Sequence, residues 1–95
     1  MNQAEQAIAA LREKFLARLP SDRAAIERAT GDPKHDGLRH LAHGLAGSAG
    51  IFCFPRLSRM AGSVDIALGA NPPDAELADK VAKLIAEIDA VLSSQ

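Results

Sequence analysis

The chain has 95 residues and a formal net charge of -1, and 47% of its residues are hydrophobic. This length supports one compact domain over residues 1–95, with an aliphatic core because there are three Phe, no Tyr and no Trp. Lys and Arg are dispersed along the chain, which argues against a nucleic-acid partner. No apolar run reaches the roughly 20 residues of a membrane span, and the lone Cys53 cannot form an internal disulfide. We therefore expect a soluble cytoplasmic protein.

The first 30 residues predict two helices separated by Pro20. An apolar stripe with spacings of three and four runs from about Gln3 to Leu19, and its members are Ala4, Ile8, Leu11, Phe15 and Leu19. Pro20 is expected to end this helix, because proline inside a helix removes a hydrogen bond. Ser21 can cap a short second helix that ends near Ala29, with Gly31 at the C′ position.

Three further helices follow. Asp32 and Pro33 form an N-cap and N1 pair for a helix that runs to about Phe52. Pro55 can open the next helix, which Gly69 and the following Asn-Pro-Pro run end; its apolar positions are Leu57, Met60, Ala61, Val64 and Leu68. Asp74 starts the last helix, whose inward positions are Leu77, Val81, Leu84, Ile85, Ile88 and Leu92. The short connections predict an all-α, up-and-down four-helix bundle with a short extra helix near the N-terminus.

The helix that ends near Phe52 has two distinct faces at 100° per residue. The apolar face carries Leu38, Leu41, Ala42, Leu45, Ala49 and Phe52, and the opposite face carries Asp36, Arg39, His40, His43, Gly47 and Gly50. His43 is therefore expected to point into solvent. Its neighbours towards the C-terminus, Ala46 at i+3 and Gly47 at i+4, are both small, and Gly50 follows one turn later.

An exposed imidazole with small neighbours suits phosphoryl transfer. Histidine has an unperturbed pKa of about 6.5, so that a neutral ring nitrogen is available as a nucleophile near pH 7. Large side chains at positions 46, 47 and 50 would obstruct both a phosphoryl group and an incoming protein. This use would explain three glycines in one helix (Gly44, Gly47 and Gly50), since each costs about 0.5–1 kcal/mol relative to alanine.

Two other interpretations fit the same pattern. The glycines can allow a second helix to pack closely, with His43 an ordinary surface histidine. Alternatively, His40 and His43 can bind a metal together with His35 or Asp36, although the usual metal-binding spacing on a helix is i,i+4 with a third ligand.

The stretch AHGLAGSAGIFCFPRLSRMAGSVD, residues 42–65, resembles the signature of histidine-containing phosphotransfer (Hpt) domains. The matching positions are His43, Leu45, Gly47, Ser48, Leu57 and Asp65. The resemblance extends more weakly upstream, through FLARLPSDRAAIERATGDPKHDGLRHLA, and covers most of the chain.

The resemblance implies a four-helix bundle whose exposed histidine takes a phosphoryl group from an aspartate on one receiver domain and gives it to another. His43 would be the phosphoacceptor and Gly47 the small neighbour that leaves room. The implied partners are a response-regulator receiver domain or a hybrid histidine kinase. The chain itself would be a monomeric phosphocarrier rather than an enzyme, without a cofactor or metal of its own, and Mg²⁺ would be held by the receiver.

The sequence departs from the family pattern at two positions. Many members have lysine three residues after the histidine, where this chain has Ala46, and the nearest replacement cation is Arg39, at i-4. Cys53 stands where the family usually has glycine, at the turn into the next helix, which implies strain if that turn needs a positive φ.

The sequence allows more than one role for several residues on this face. Ser48 is either an ordinary helix serine or a phosphate contact, and Arg39 and His40 either contact the partner or are simply solvated. The ring nitrogen that carries phosphate is not assigned. The alternative function is a non-catalytic interaction module that binds a receiver or kinase without phosphotransfer.

Overall fold

The computed structural model describes residues 2–95 and contains four helices and no strand within them. The helices are α1 (Gln3–Thr30), α2 (Asp36–Ile51), α3 (Pro55–Gly69) and α4 (Asp74–Ser93). None of the four has the combination of length and apolarity that a membrane span requires. The starts of α3 at Pro55 and α4 at Asp74 and the end of α3 at Gly69 agree with the sequence predictions.

The predicted short extra helix is wrong, because α1 continues without interruption through Pro20 for 28 residues. Leu19 and Ile26, seven residues apart, are both fully buried, and a continuous helix places both on the same face. Arg23 also donates hydrogen bonds to Asp89 on α4, which ties the second half of α1 to the bundle. Tertiary packing therefore outweighs the local cost of the proline.

The side-chain contacts show that consecutive helices run antiparallel. Between α3 and α4, Arg56 pairs with Glu87 and Lys80 donates to Ser63, so residue numbers rise on one helix as they fall on the other. Between α1 and α2, the rings of Phe15 and Phe52 lie 5.5 Å apart, while Ala29, near the far end of α1, approaches Gly37, near the start of α2. The arrangement is an up-and-down bundle, as the short connections predicted.

The core is aliphatic and draws on all four helices. Its buried members are Phe15, Leu19, Ile26, Leu38, Ala42, Leu45, Ala49, Leu57, Ala61, Val64, Leu77, Val81, Leu84, Ile88 and Val91. The predicted stripe of α1 is buried only from Phe15 onwards, since Ala4, Ile8 and Leu11 are exposed. At 1.5 Å per residue α1 is about 42 Å long, so its first turns extend beyond the shorter helices.

The start of α2 differs from the prediction. Asp32 and Pro33 do not open the helix; the Asp32 side chain accepts a hydrogen bond from the Lys34 amide and forms a turn. His35 then adopts a left-handed conformation with φ of 58°, which is incompatible with helix, and α2 begins at Asp36. The local turn of Asp32 thus displaces the helix start by three residues, from Pro33 to Asp36.

The turn from α2 to α3 is a Schellman motif. The Phe54 amide donates to the carbonyl of Ala49, and the Cys53 amide donates to that of Gly50. Cys53 occupies the left-handed position, with φ of 64°, where glycine is usual. This tight turn brings α3 back along α2 and places the two helices side by side.

Candidate functional site

His43 lies near the middle of α2, and its side chain is 80% exposed. The apolar face of α2 holds this orientation, because Leu38, Ala42, Leu45 and Ala49 are buried. The ring is not isolated, however. Its Nδ1 lies 2.9 Å from Oδ2 of Asp65, on the neighbouring helix α3.

Asp65 fixes the protonation pattern of the ring. Hydrogen bonds from His43, followed by those from Arg39, lower the pKa of the Asp65 carboxyl below its ordinary value, although partial burial opposes this shift. Asp65 is therefore ionised at neutral pH, and an ionised carboxylate only accepts hydrogen bonds. Nδ1 must carry the proton in this contact, so that in the neutral ring Nε2 holds the free electron pair.

Arg39 lies one turn before His43 and contacts the same carboxylate. Its Nε donates to Oδ1 of Asp65 at 3.2 Å, while the other carboxylate oxygen faces His43. The Arg39 side chain is 58% exposed, so the guanidinium remains within reach of solvent. Arg39 is thus an ion-pair partner of Asp65 rather than a solvated surface charge.

The predicted small neighbours of His43 differ in their surroundings. A Cβ atom at Gly47 would meet nothing within 4 Å, so the surface there is open. At Gly50, a Cβ would lie 3.5 Å from Oγ of Ser58, in ordinary contact with α3. Ala46 is half-buried against the core, and its carbonyl accepts a hydrogen bond from Ser58. Gly47 alone of these three keeps the predicted open space.

His40 stands between two concave surfaces. One is a shallow pocket of about 410 Å³ lined by Asp36, Arg39, His40, His43 and Asp65. The other is a largely apolar groove of about 400 Å³ between α1 and α2, whose lining includes Phe15, Phe52 and Ser48. No group of three or more His, Cys, Asp or Glu side chains within residues 2–95 is arranged to hold a metal ion, so the alternative metal site is not supported.

Comparison with known protein families decides the assignment. Residues 10–93 match the Hpt domain family. The chain belongs to this family. No curated protein and no solved structure gives a significant match to the Hpt domain described here. Domains of this family are histidine phosphotransfer modules that interact with receiver domains and histidine kinases in phosphorelays, and they are phosphocarriers rather than catalysts in themselves.

Sequence reasoning gave Asp65 no role in this Hpt domain beyond filling the family signature. Asp65 is 22 residues from His43 and on another helix, so helical periodicity cannot relate the two. The signal that could have found it is the tight turn before Pro55, because two antiparallel helices joined by a short turn pair residues at equal distances from it. Counting outward from residue 54 places Asp65 opposite His43.

Proposed function

We propose that this Hpt domain is a phosphocarrier in a two-component phosphorelay. His43 accepts a phosphoryl group from a receiver-domain aspartate and passes it to another receiver. The observation that carries the proposal is the geometry of His43: an exposed ring whose Nδ1 is held by Asp65 and whose Nε2 is left free.

The chemistry assigned to His43 is nucleophilic attack through Nε2. The Nε2 electron pair forms a bond to phosphorus as the bond between phosphorus and the aspartate oxygen of the receiver breaks, and the leaving electron pair returns to that carboxylate. The attack leaves positive charge on the imidazole ring. Asp65 stabilises that charge through the Nδ1 hydrogen bond and itself stays ionised.

The bundle contributes position rather than acid, base or metal chemistry. The ring stands on a helix anchored by four buried residues, so its location is well defined before the partner arrives. The open surface at Gly47 leaves space for the phosphoryl oxygens and for the receiver. The receiver supplies Mg²⁺ and stabilises most of the transition-state charge.

The direct test uses two phosphodonors. Phosphoramidate, a small molecule that phosphorylates histidine, reports on the nucleophile without a partner protein, and receiver domains charged with acetyl phosphate and Mg²⁺ report on transfer. We expect acid-labile, base-stable phosphate on the wild type and none on His43→Gln. His40→Gln is the matched control, since His40 is an exposed histidine one turn earlier on the same helix, and it should still be labelled.

Two results would contradict the proposal. Labelling that persists in His43→Gln and disappears in His40→Gln would identify His40, rather than His43, as the phosphoacceptor. Receiver domains that bind the wild type tightly but transfer no phosphoryl group, together with no labelling by phosphoramidate, would favour the interaction module instead.

A further inference from the structure

Two side chains of α2 hold one carboxylate of α3. Arg39 Nε donates to Oδ1 of Asp65 at 3.2 Å, and His43 Nδ1 contacts Oδ2 at 2.9 Å. Arg39 and His43 are four residues apart and therefore lie one above the other on the same side of α2. Each therefore meets its own oxygen of the Asp65 carboxylate.

This arrangement makes the orientation of Asp65 depend on Arg39. A carboxylate on an exposed helix can rotate and turn towards water, and a single bond to a neutral imidazole opposes this only weakly. The hydrogen bond from Arg39 to one oxygen restrains this rotation and leaves the second oxygen directed towards Nδ1. The positive charge of Arg39 also favours the ionised carboxylate, which is the form that accepts a hydrogen bond from Nδ1–H.

Gly69, the last residue of α3, provides the space that this arginine occupies. A Cβ atom at Gly69 would lie 3.0 Å from Nη2 of Arg39, which is tighter than most Cβ contacts, so the guanidinium would have to shift by a few tenths of an ångström. The backbone does not require glycine here, because none of the glycines in the described part of the chain has a positive φ. The missing side chain at Gly69 therefore leaves room for the Arg39 guanidinium in its observed position.

We propose that Arg39 is a positioning residue for His43: it orients Asp65, which keeps the proton on Nδ1 and the free electron pair on Nε2, and Gly69 leaves room for it. In this role Arg39 acts through Asp65 rather than through contact with phosphate. The biological meaning of the role rests on the proposed phosphocarrier function. The tautomer of His43, by contrast, can be measured without any phosphodonor.

The experiment measures the ratio of the Nδ1–H to the Nε2–H tautomer of His43 by nitrogen NMR of the 95-residue chain, at a pH where the ring is neutral. We expect Nδ1–H to predominate in the wild type. In Arg39→Gln the ratio should fall by roughly two- to fivefold, the range expected for an exposed ion pair. Arg39→Lys should recover part of the loss, because the charge remains but the directional Nε–H donor does not.

Two further variants make the test specific. Gly69→Ala keeps Arg39 but displaces it, so the ratio should move in the same direction by a smaller factor while the unfolding midpoint stays close to that of the wild type. Arg28→Gln removes an exposed arginine from the last turn of α1 and serves as the matched charge control, with no change in the ratio.

An unchanged ratio in both folded variants, Arg39→Gln and Gly69→Ala, would overturn this inference. That result would leave the proposed function intact if His43 still accepted phosphoryl groups. Conversely, a tautomer shift in a protein that phosphoramidate does not label would support the positioning role and reject the phosphocarrier function.

Discussion

The hydroxyl of Ser58, in the first turn of α3, donates a 2.8 Å hydrogen bond to the main-chain carbonyl of Ala46 on α2. The contact lies in the seam between the two helices, close to the turn that joins them. Two turns further along α3 lies Asp65, and one turn back along α2 lies His43. The hydrogen bond of Ser58 therefore helps to set the register that brings the carboxylate of Asp65 against the imidazole of His43.

The open surface at Gly47 leads to a prediction about access. We expect Gly47→Leu to reduce phosphotransfer from a charged receiver by roughly 100-fold, because a leucine one turn from His43 would displace the incoming partner. Stability should be unchanged or rise by up to about 1 kcal/mol, since the new Cβ meets no other atom within 4 Å and leucine favours helix over glycine.

A leucine elsewhere on the surface separates this effect from general ones. Ala82→Leu adds the same side chain to an exposed position of α4, a helix that is not a neighbour of α2 in the bundle, and it should transfer at the wild-type rate. If Gly47→Leu unfolded the bundle instead, Gly47 would be required for helix packing rather than for access to His43.

The lowered pKa of Asp65 predicts a pH-dependent contribution to stability. A carboxyl whose pKa is lower in the folded than in the unfolded state stabilises the fold fully above its unfolded pKa of about 3.9. That stabilisation is lost as the pH falls through the folded pKa. The wild type should therefore be more stable than Asp65→Asn at pH 7, and the difference should shrink below about pH 4.

Urea unfolding of both proteins at a series of pH values measures this difference. The hydrogen bond from His43 is the largest cause of the lowered pKa, so His43→Gln should reduce the pH-dependent part of the difference. A gap between wild type and Asp65→Asn that stayed constant down to pH 2 would show that the contacts of Asp65 do not favour its ionised form.

The left-handed turn at Cys53 predicts a stabilising substitution. Cys53 has φ of 64° and an exposed side chain, so Cys53→Gly removes conformational strain without removing a buried contact. We expect the free energy of unfolding to rise by about 0.5–1 kcal/mol, since the greater freedom of glycine in the unfolded chain offsets part of the gain. Cys53→Ala, which removes the thiol but keeps Cβ, should have almost no effect in the same urea titration.

Pro20 gives a second stability prediction. Within a continuous helix, proline cannot donate a hydrogen bond to the carbonyl of Leu16 and crowds it. Pro20→Ala should therefore stabilise the protein by about 1–3 kcal/mol, whereas Ser21→Ala at the adjacent exposed position should change stability by only a few tenths of a kcal/mol. A loss of stability in Pro20→Ala would mean that α1 needs the proline to follow the curvature of the bundle.

The outcome at Pro20 also shows where local signals mislead. Both α3 and α4 were predicted closely from their apolar spacing and from the proline and aspartate at their starts, because local preferences and core packing agree in these helices. At Pro20 and at Asp32 the predicted helix boundary and the observed structure disagree. Burial of Leu19 and Ile26 on one face carries α1 across the proline, and the side-chain turn at Asp32 delays α2.

The sequence by itself determined the helical class and the direction in which His43 points, because both depend on residues within one helix of 3.6-residue period. It also supplied the small neighbour Gly47. Only the tertiary structure decided which groups hold the imidazole. Asp65 belongs to a different helix, α3, and Gly69, which leaves room for Arg39, is the last residue of that helix. These contacts depend on the register between α2 and α3, and register is a property of two packed helices that neither one encodes alone.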